Sequence, residues 1–295
     1  MFPRETPSRT LRAAGFAVAL CVAAGLSGCS TPAQEGPPAE STGPAPLDYV
    51  AFGDSYASGF GAGSYTDECG RSPRGLPTLL GARQGVTLAA DATCAGARAA
   101  SVSDWPIDLP EQVSGAVDAG RLSADTALVT ISAGGNDAGF AEVAGACAEQ
   151  PPAACSQVIE DQNRSVFPVL EVDLDALYAT VRSAAPDAVV LVTGYPHLFS
   201  PESGDALLPQ ESQEAFNAGT DTLNHLIRRE AEAHGFTFVD LVAPFAGHGL
   251  GSSESWITYS EGAEDNLHPT ARGYSSGYLR AVLETPEFAA LGVPD

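Results

Sequence analysis

Five short apolar runs, each followed by a stretch with helical spacing, constrain this chain more than any other feature. The runs fall at residues 49–52, 86–90, 127–132, 188–193 and 237–241. Helices are predicted at 76–84, 112–119, 140–149, 171–185, 211–234 and, after a long loop, 269–284. Pro168 is expected to separate the helix over 171–185 from the stretch at 155–167. Strands joined by crossovers of roughly 10–25 residues cannot pair as hairpins and predict an α/β fold, a parallel sheet covered on both faces. No internal repeat is present. Ligands of such sheets bind outside the carboxyl ends of the strands. Polar and Gly-rich clusters fall at those ends: Gly53-Asp54-Ser55, Cys94-Ala95-Gly96-Ala97, Ala133-Gly134-Gly135-Asn136-Asp137 and, past the last run, Asp265-Asn266-Leu267-His268-Pro269.

The first cluster carries the chemistry. Val50, Ala51 and Phe52 read as a buried strand, Gly53 permits a tight turn, and small residues from Ser55 to Gly59 suit the start of a helix. Ser55 then sits at a strand-to-helix junction, with main-chain N–H groups around its hydroxyl. Alone, it reads more readily as an N-capping serine in an ordinary turn, and three later stretches reverse that reading. A serine hydroxyl needs a base to become a nucleophile. Of five histidines, His225 and His234 read as surface residues of one helix, His248 lies in a Gly-rich loop without a role, and His197 is near enough to the rim to line a pocket. His268 has a carboxylate three residues before it, and a turn would bring Asp265 to Nδ1 so that Nε2 faces Ser55. The Ser55 and Gly96 N–H groups and the Asn136 amide are the expected oxyanion donors. Gly96, Asn136 and Asp265 each have a plain turn or cap reading; together, in this order, they point to acyl transfer.

These blocks resemble those of the GDSL/SGNH hydrolases, and specifically the secreted actinobacterial esterase/lipase branch. Gly53-Asp54-Ser55 matches the first block, Gly96 the second, Gly134-Gly135-Asn136-Asp137 the third and Asp265-x-x-His268-Pro269 the last, across residues 48–284. The resemblance implies a three-layer α/β/α sandwich of flavodoxin type with a five-stranded parallel sheet, ester hydrolysis, no metal and no cofactor. Some members of the branch lack the aspartate and use a main-chain carbonyl; here Asp265 is present. Gly273-Tyr274-Ser275-Ser276-Gly277 matches a different motif, the G-x-S-x-G elbow. It lies in the last helical pattern, without a preceding strand or a following histidine, and is read as helix surface.

The N-terminal stretch reads as an address. Arg4, Arg9 and Arg12 precede an apolar run of about 14 residues, too short to span a bilayer. It ends in Leu26-Ser27-Gly28-Cys29, which resembles the bacterial lipobox and implies cleavage before Cys29 and a lipid on its sulfur. Residues 1–28 are thus expected to be a lipoprotein signal peptide, 29–46 the anchor and a Pro/Gly/Ser tether, and 47–295 the hydrolase domain. Cys69, Cys94, Cys147 and Cys155 remain in the domain, an even set that suits an oxidising compartment. Three pairings are possible. Joining Cys147 to Cys155 across a short Pro151-Pro152 loop is the simplest and leaves Cys69 with Cys94.

The formal charge is -23 and all 14 basic residues are arginine, a balance that disfavours nucleic acid. The expected protein is a monomeric carboxylic-ester hydrolase at the cell envelope, held to the membrane through Cys29 and acting on a small-molecule or lipid ester. Alternatives are a carbohydrate O-acetylesterase or acyltransferase with the same triad, or a non-catalytic envelope-binding lipoprotein.

Overall fold

The computed structural model describes residues 45–102, 106–204 and 207–294. The stretch expected to be a signal peptide, Cys29 and all but the last two residues of the expected tether lie outside them. Five strands, β1 (Leu47–Gly53), β2 (Val86–Asp91), β3 (Leu128–Ser132), β4 (Val189–Thr193) and β5 (Thr237–Val239), form one parallel sheet in the order β2-β1-β3-β4-β5. That is the doubly wound order in which the crevice opens beside the first strand. β3 is the middle strand and every residue of it is buried; its neighbours β1 and β4 are buried along most of their length. Their Val, Ile and Leu runs have helices over both faces, as parallel strands require.

The helices are α1 (Ser55–Ser58), α2 (Leu76–Gly81), α3 (Leu109–Asp118), α4 (Phe140–Glu149), α5 (Pro152–Ala184), α6 (Gln210–Ala233), α7 (Leu279–Leu283) and α8 (Pro286–Ala290). α3, α5 and α6 pack together as one group; α2 and α7 belong to the other. α5 corrects the sequence expectation, for it runs without a break through Pro168. A proline inside a helix costs about 3 kcal/mol. Buried residues on both sides of it, Cys155 and Ile159 before and Leu170, Leu174 and Val181 after, hold the two halves in place. Cys147–Cys155 ties the start of α5 to α4, and Cys69–Cys94 joins the loops that follow β1 and β2.

A π-helical segment, Gly273–Tyr278, leads into α7 and contains the G-x-S-x-G match. It is no bland helix surface. Gly273, Tyr274, Gly277 and Tyr278 are buried, and a Cβ on Gly277 would stand 2.3 Å from the Phe245 ring. The glycines of that motif serve packing against Phe245. The tyrosine between them sends its hydroxyl to the Phe60 carbonyl, at 2.9 Å, and to the Ser55 carbonyl, at 3.3 Å.

Candidate active site

Gly53 closes β1 in a conformation that only glycine adopts easily, with φ +141, and a Cβ there would lie 2.5 Å from the Ser132 carbonyl oxygen. Gln112 of α3 satisfies this bend from below. Its Oε1 accepts from the Gly53 N–H at 2.8 Å and its Nε2 donates to the Gly53 carbonyl at 3.0 Å. Asp54 then caps α1, accepting from the Tyr56 N–H at 2.9 Å, and Ser55 is the first helical residue. The Ser55 and Gly96 N–H groups take no acceptor in the hydrogen bonds among the described residues. They are donors in waiting.

Ser55 and His268 meet across 213 residues of sequence: Nε2 lies 2.7 Å from Oγ. Nδ1 lies 2.8 Å from the Asn266 main-chain carbonyl. A carbonyl only accepts, so Nδ1 carries the proton and Nε2 is the free base facing Ser55. Here the structure departs from the sequence expectation. The Asp265 carboxylate does not reach Nδ1; it accepts from the Tyr65 hydroxyl, which in turn accepts from the Gly61 N–H at 2.9 Å. The reason is the backbone of the loop. Leu267 takes a left-handed conformation, φ +65, which swings the Asn266 carbonyl under the imidazole, and Tyr56 holds the turn by donating to the Leu267 carbonyl at 2.5 Å. Gly61 closes the other side, where a Cβ would lie 2.7 Å from that of His268.

Ser55, Gly96, Asn136 and His268 line one cleft of ≈ 160 Å³ with Asp54, Tyr56, Gly135 and Tyr195. The Asn136 amide donates to the Ala97 carbonyl at 2.9 Å, which fixes one of its two hydrogens and leaves the other for the cleft. His197 is not among the lining residues: its Nε2 pairs with Asp221 at 2.8 Å. His234 pairs with Asp175, and His248 stacks on Trp256 with centroids 3.7 Å apart. Two contributors escaped the sequence reading. Tyr195, following β4, donates to Asp54 at 2.5 Å, and Gln112 holds Gly53. Neither sits near a motif, so no local signal marks them.

Burial shapes the titrations. It lowers the His268 pKa, against the opposing pull of the Asn266 and Asp265 carbonyls and the Asp265 charge. It pushes Asp54 up to about 6, against the bonds from Tyr195, Tyr56 and Ser132. A depressed imidazole pKa keeps the base free to lower pH, so the acid limb of kcat/KM is expected below the ordinary histidine value of about 6.5. Asp265→Asn provides the companion test. In a serine protease, neutralising the aspartate that holds the base costs about 10⁴ in kcat. With a carbonyl in that place, Asp265→Asn is expected to change kcat by less than about tenfold and to move the acid limb further down, as a charge that favours imidazolium is lost. A pH–rate profile of both proteins checks this, and a loss of thousands-fold would return Asp265 to the triad.

The family model described as GDSL-like lipase/acylhydrolase matches residues 51–275. The chain belongs to this family. It is a hydrolase of ester bonds. Lipase 1 of Streptomyces coelicolor is 38% identical to this GDSL-family chain over 278 residues, spanning 92% of this chain and 97% of the relative. Among solved structures, the extracellular lipase of Streptomyces rimosus is 37% identical with a TM-score of 0.69, covering 80% of this chain and 97% of that one. Phospholipase A1 from Streptomyces albidoflavus NA297 is 35% identical with a TM-score of 0.68, covering 80% of this chain and 98% of that one. The two disulfides of this family member fit a chain that folds outside a reducing compartment.

Proposed function

We propose that this GDSL-family chain cleaves long-chain acyl esters through an acyl-enzyme on Ser55. The observation that carries the reading is the 2.7 Å contact between Ser55 Oγ and a His268 Nε2 that the Asn266 carbonyl holds as free base. Ser55 Oγ attacks the ester carbonyl while its proton passes to Nε2. The oxyanion is held by the Ser55 and Gly96 N–H groups and the Asn136 amide. His268 returns the proton to the departing alkoxide, and the alcohol leaves. Water, deprotonated by the same nitrogen, then attacks the acyl carbon, releases the carboxylic acid and restores the serine.

Acyl chains are favoured over acetylated sugars by the walls. Phe140 lines the catalytic cleft and also a second, apolar crevice with Val143, Ile159, Phe167, Phe216 and Leu223. Such a surface gains about 0.8 kcal/mol for each methylene it buries and offers sugar hydroxyls little. Relatives named lipase and phospholipase A1 point the same way. The two disulfides and the likeness to an extracellular lipase support a place outside the cytoplasm, a cleft lined by one chain suits a monomer, and Leu26-Ser27-Gly28-Cys29 supports a lipid on Cys29.

A panel of p-nitrophenyl esters from acetate to palmitate, run beside phosphatidylcholine and acetylated xylan, tests the substrate. Turnover that rises with chain length beyond butyrate is expected; a maximum at acetate, or on the acetylated sugar, would overturn it.

A further inference from the structure

Tyr195 lies outside every catalytic block, yet its hydroxyl sits between two of them. It donates to Asp54 Oδ2 at 2.5 Å and accepts from the Gly135 N–H at 2.9 Å. Asp54 immediately precedes Ser55, and Gly135 immediately precedes Asn136. The other oxygen of Asp54 accepts from the Tyr56 N–H at 2.9 Å and from the Ser132 hydroxyl at 3.1 Å. One buried carboxylate therefore touches the nucleophile turn, the end of β3 and, through Tyr195, the loop that carries Asn136. Tyr195 is itself clamped: Asn224 of α6 bonds both its N–H, at 2.9 Å, and its carbonyl, at 2.8 Å. The tyrosine ring is 1% exposed and presses so closely on Gly135 that a Cβ there would stand 3.0 Å from Cζ. Gly135 has no positive φ, so contact with this ring, and not backbone freedom, is what demands glycine at that position.

We infer that Tyr195, with Asp54 as its acceptor, is a positioning residue that sets the Asn136 amide against Ser55. The inference rests on the assignment of Ser55 as nucleophile and Asn136 as oxyanion donor. A phenol bound to an ionised, buried acceptor forms a short, directional link, and the geometry of a donor to a developing charge is where such rigidity tells on rate. The link acts in the transition state, when the oxyanion forms, more than on the bound ester. Its loss should therefore appear in kcat and leave KM little changed.

Tyr195→Phe keeps the ring against Gly135 and removes only the link. In p-nitrophenyl ester assays well below the melting temperature, kcat is expected to fall roughly tenfold or more with KM within about twofold. Combined with Asn136→Ala, the second change should add little to the first, because both act on one donor. A residue that merely supports the fold would lower the melting temperature and leave kcat per folded molecule intact; that result, or a kcat loss that multiplies with that of Asn136→Ala, overturns the inference. Should Tyr195→Phe fail to fold, Asp54→Asn, which keeps the acceptor for the Tyr56 N–H, is read by the same cycle and the same criteria. Asn136→Ala alone separates the two assignments. If it leaves kcat untouched, the oxyanion reading fails; if it is severe and Tyr195→Phe is harmless, only the link fails.

Discussion

Ser55→Ala is expected to abolish p-nitrophenyl ester turnover while the melting temperature stays near that of the parent. The serine Oγ makes one contact to His268 Nε2, and Asp54, not Ser55, supplies the cap of α1. Removing Oγ therefore takes away the proposed nucleophile and little that holds the fold. Triads that lose one member keep only what binding and oxyanion donors supply, and the loss in kcat is about 10⁶. A fluorophosphonate probe gives a second reading, labelling the parent at Ser55 and leaving the variant unlabelled. An alanine variant with parental rates would end the assignment and leave the cleft as a binding site.

The next largest effect is expected at Asn136. Asn136→Ala deletes one of the three proposed donors to the oxyanion, a change expected to cost about 3 kcal/mol of barrier and thus roughly 10²–10³ in kcat. The loss should lie in kcat with KM nearly constant, because the carbonyl of the bound ester gains far less from the donor than the charged intermediate does. The side chain also donates to Ala97 across the cleft, so a small drop in melting temperature accompanies the kinetic loss. Steady-state kinetics on the same esters decides it. A kcat within threefold of the parent would mean that the Ser55 and Gly96 N–H groups suffice.

Much of this was legible in the chain because the informative features are local. Strand-sized apolar runs bounded by glycine mark β1, β3 and β4 within two residues of their observed ends, and the four blocks name Ser55, Gly96, Asn136 and His268. What sequence could not convey is long-range compensation. Pro168 reads as a helix end because its local cost is plain, whereas the burial of Ile159 and Leu170 that offsets it is tertiary. Asp265 reads as the partner of His268 because a carboxylate three residues away is the simplest acceptor. The turn that delivers a carbonyl first has its left-handed residue at Leu267, a position where neither glycine nor asparagine announces it. Tyr195 and Gln112 act through contacts 141 and 59 residues away in sequence, where no spacing rule applies.

The carbonyl beneath His268 has a consequence of its own. An amide oxygen stays unprotonated throughout the range in which proteins stay folded, so acid can charge the imidazole but cannot strip it of its steering contact. No side-chain replacement at 265 or 266 deletes that oxygen either, which frees position 265 to drift toward other tasks, such as fastening Tyr65. The weak point moves to the peptide path itself: whatever untwists the turn at Leu267 disarms the enzyme while the sheet is still intact.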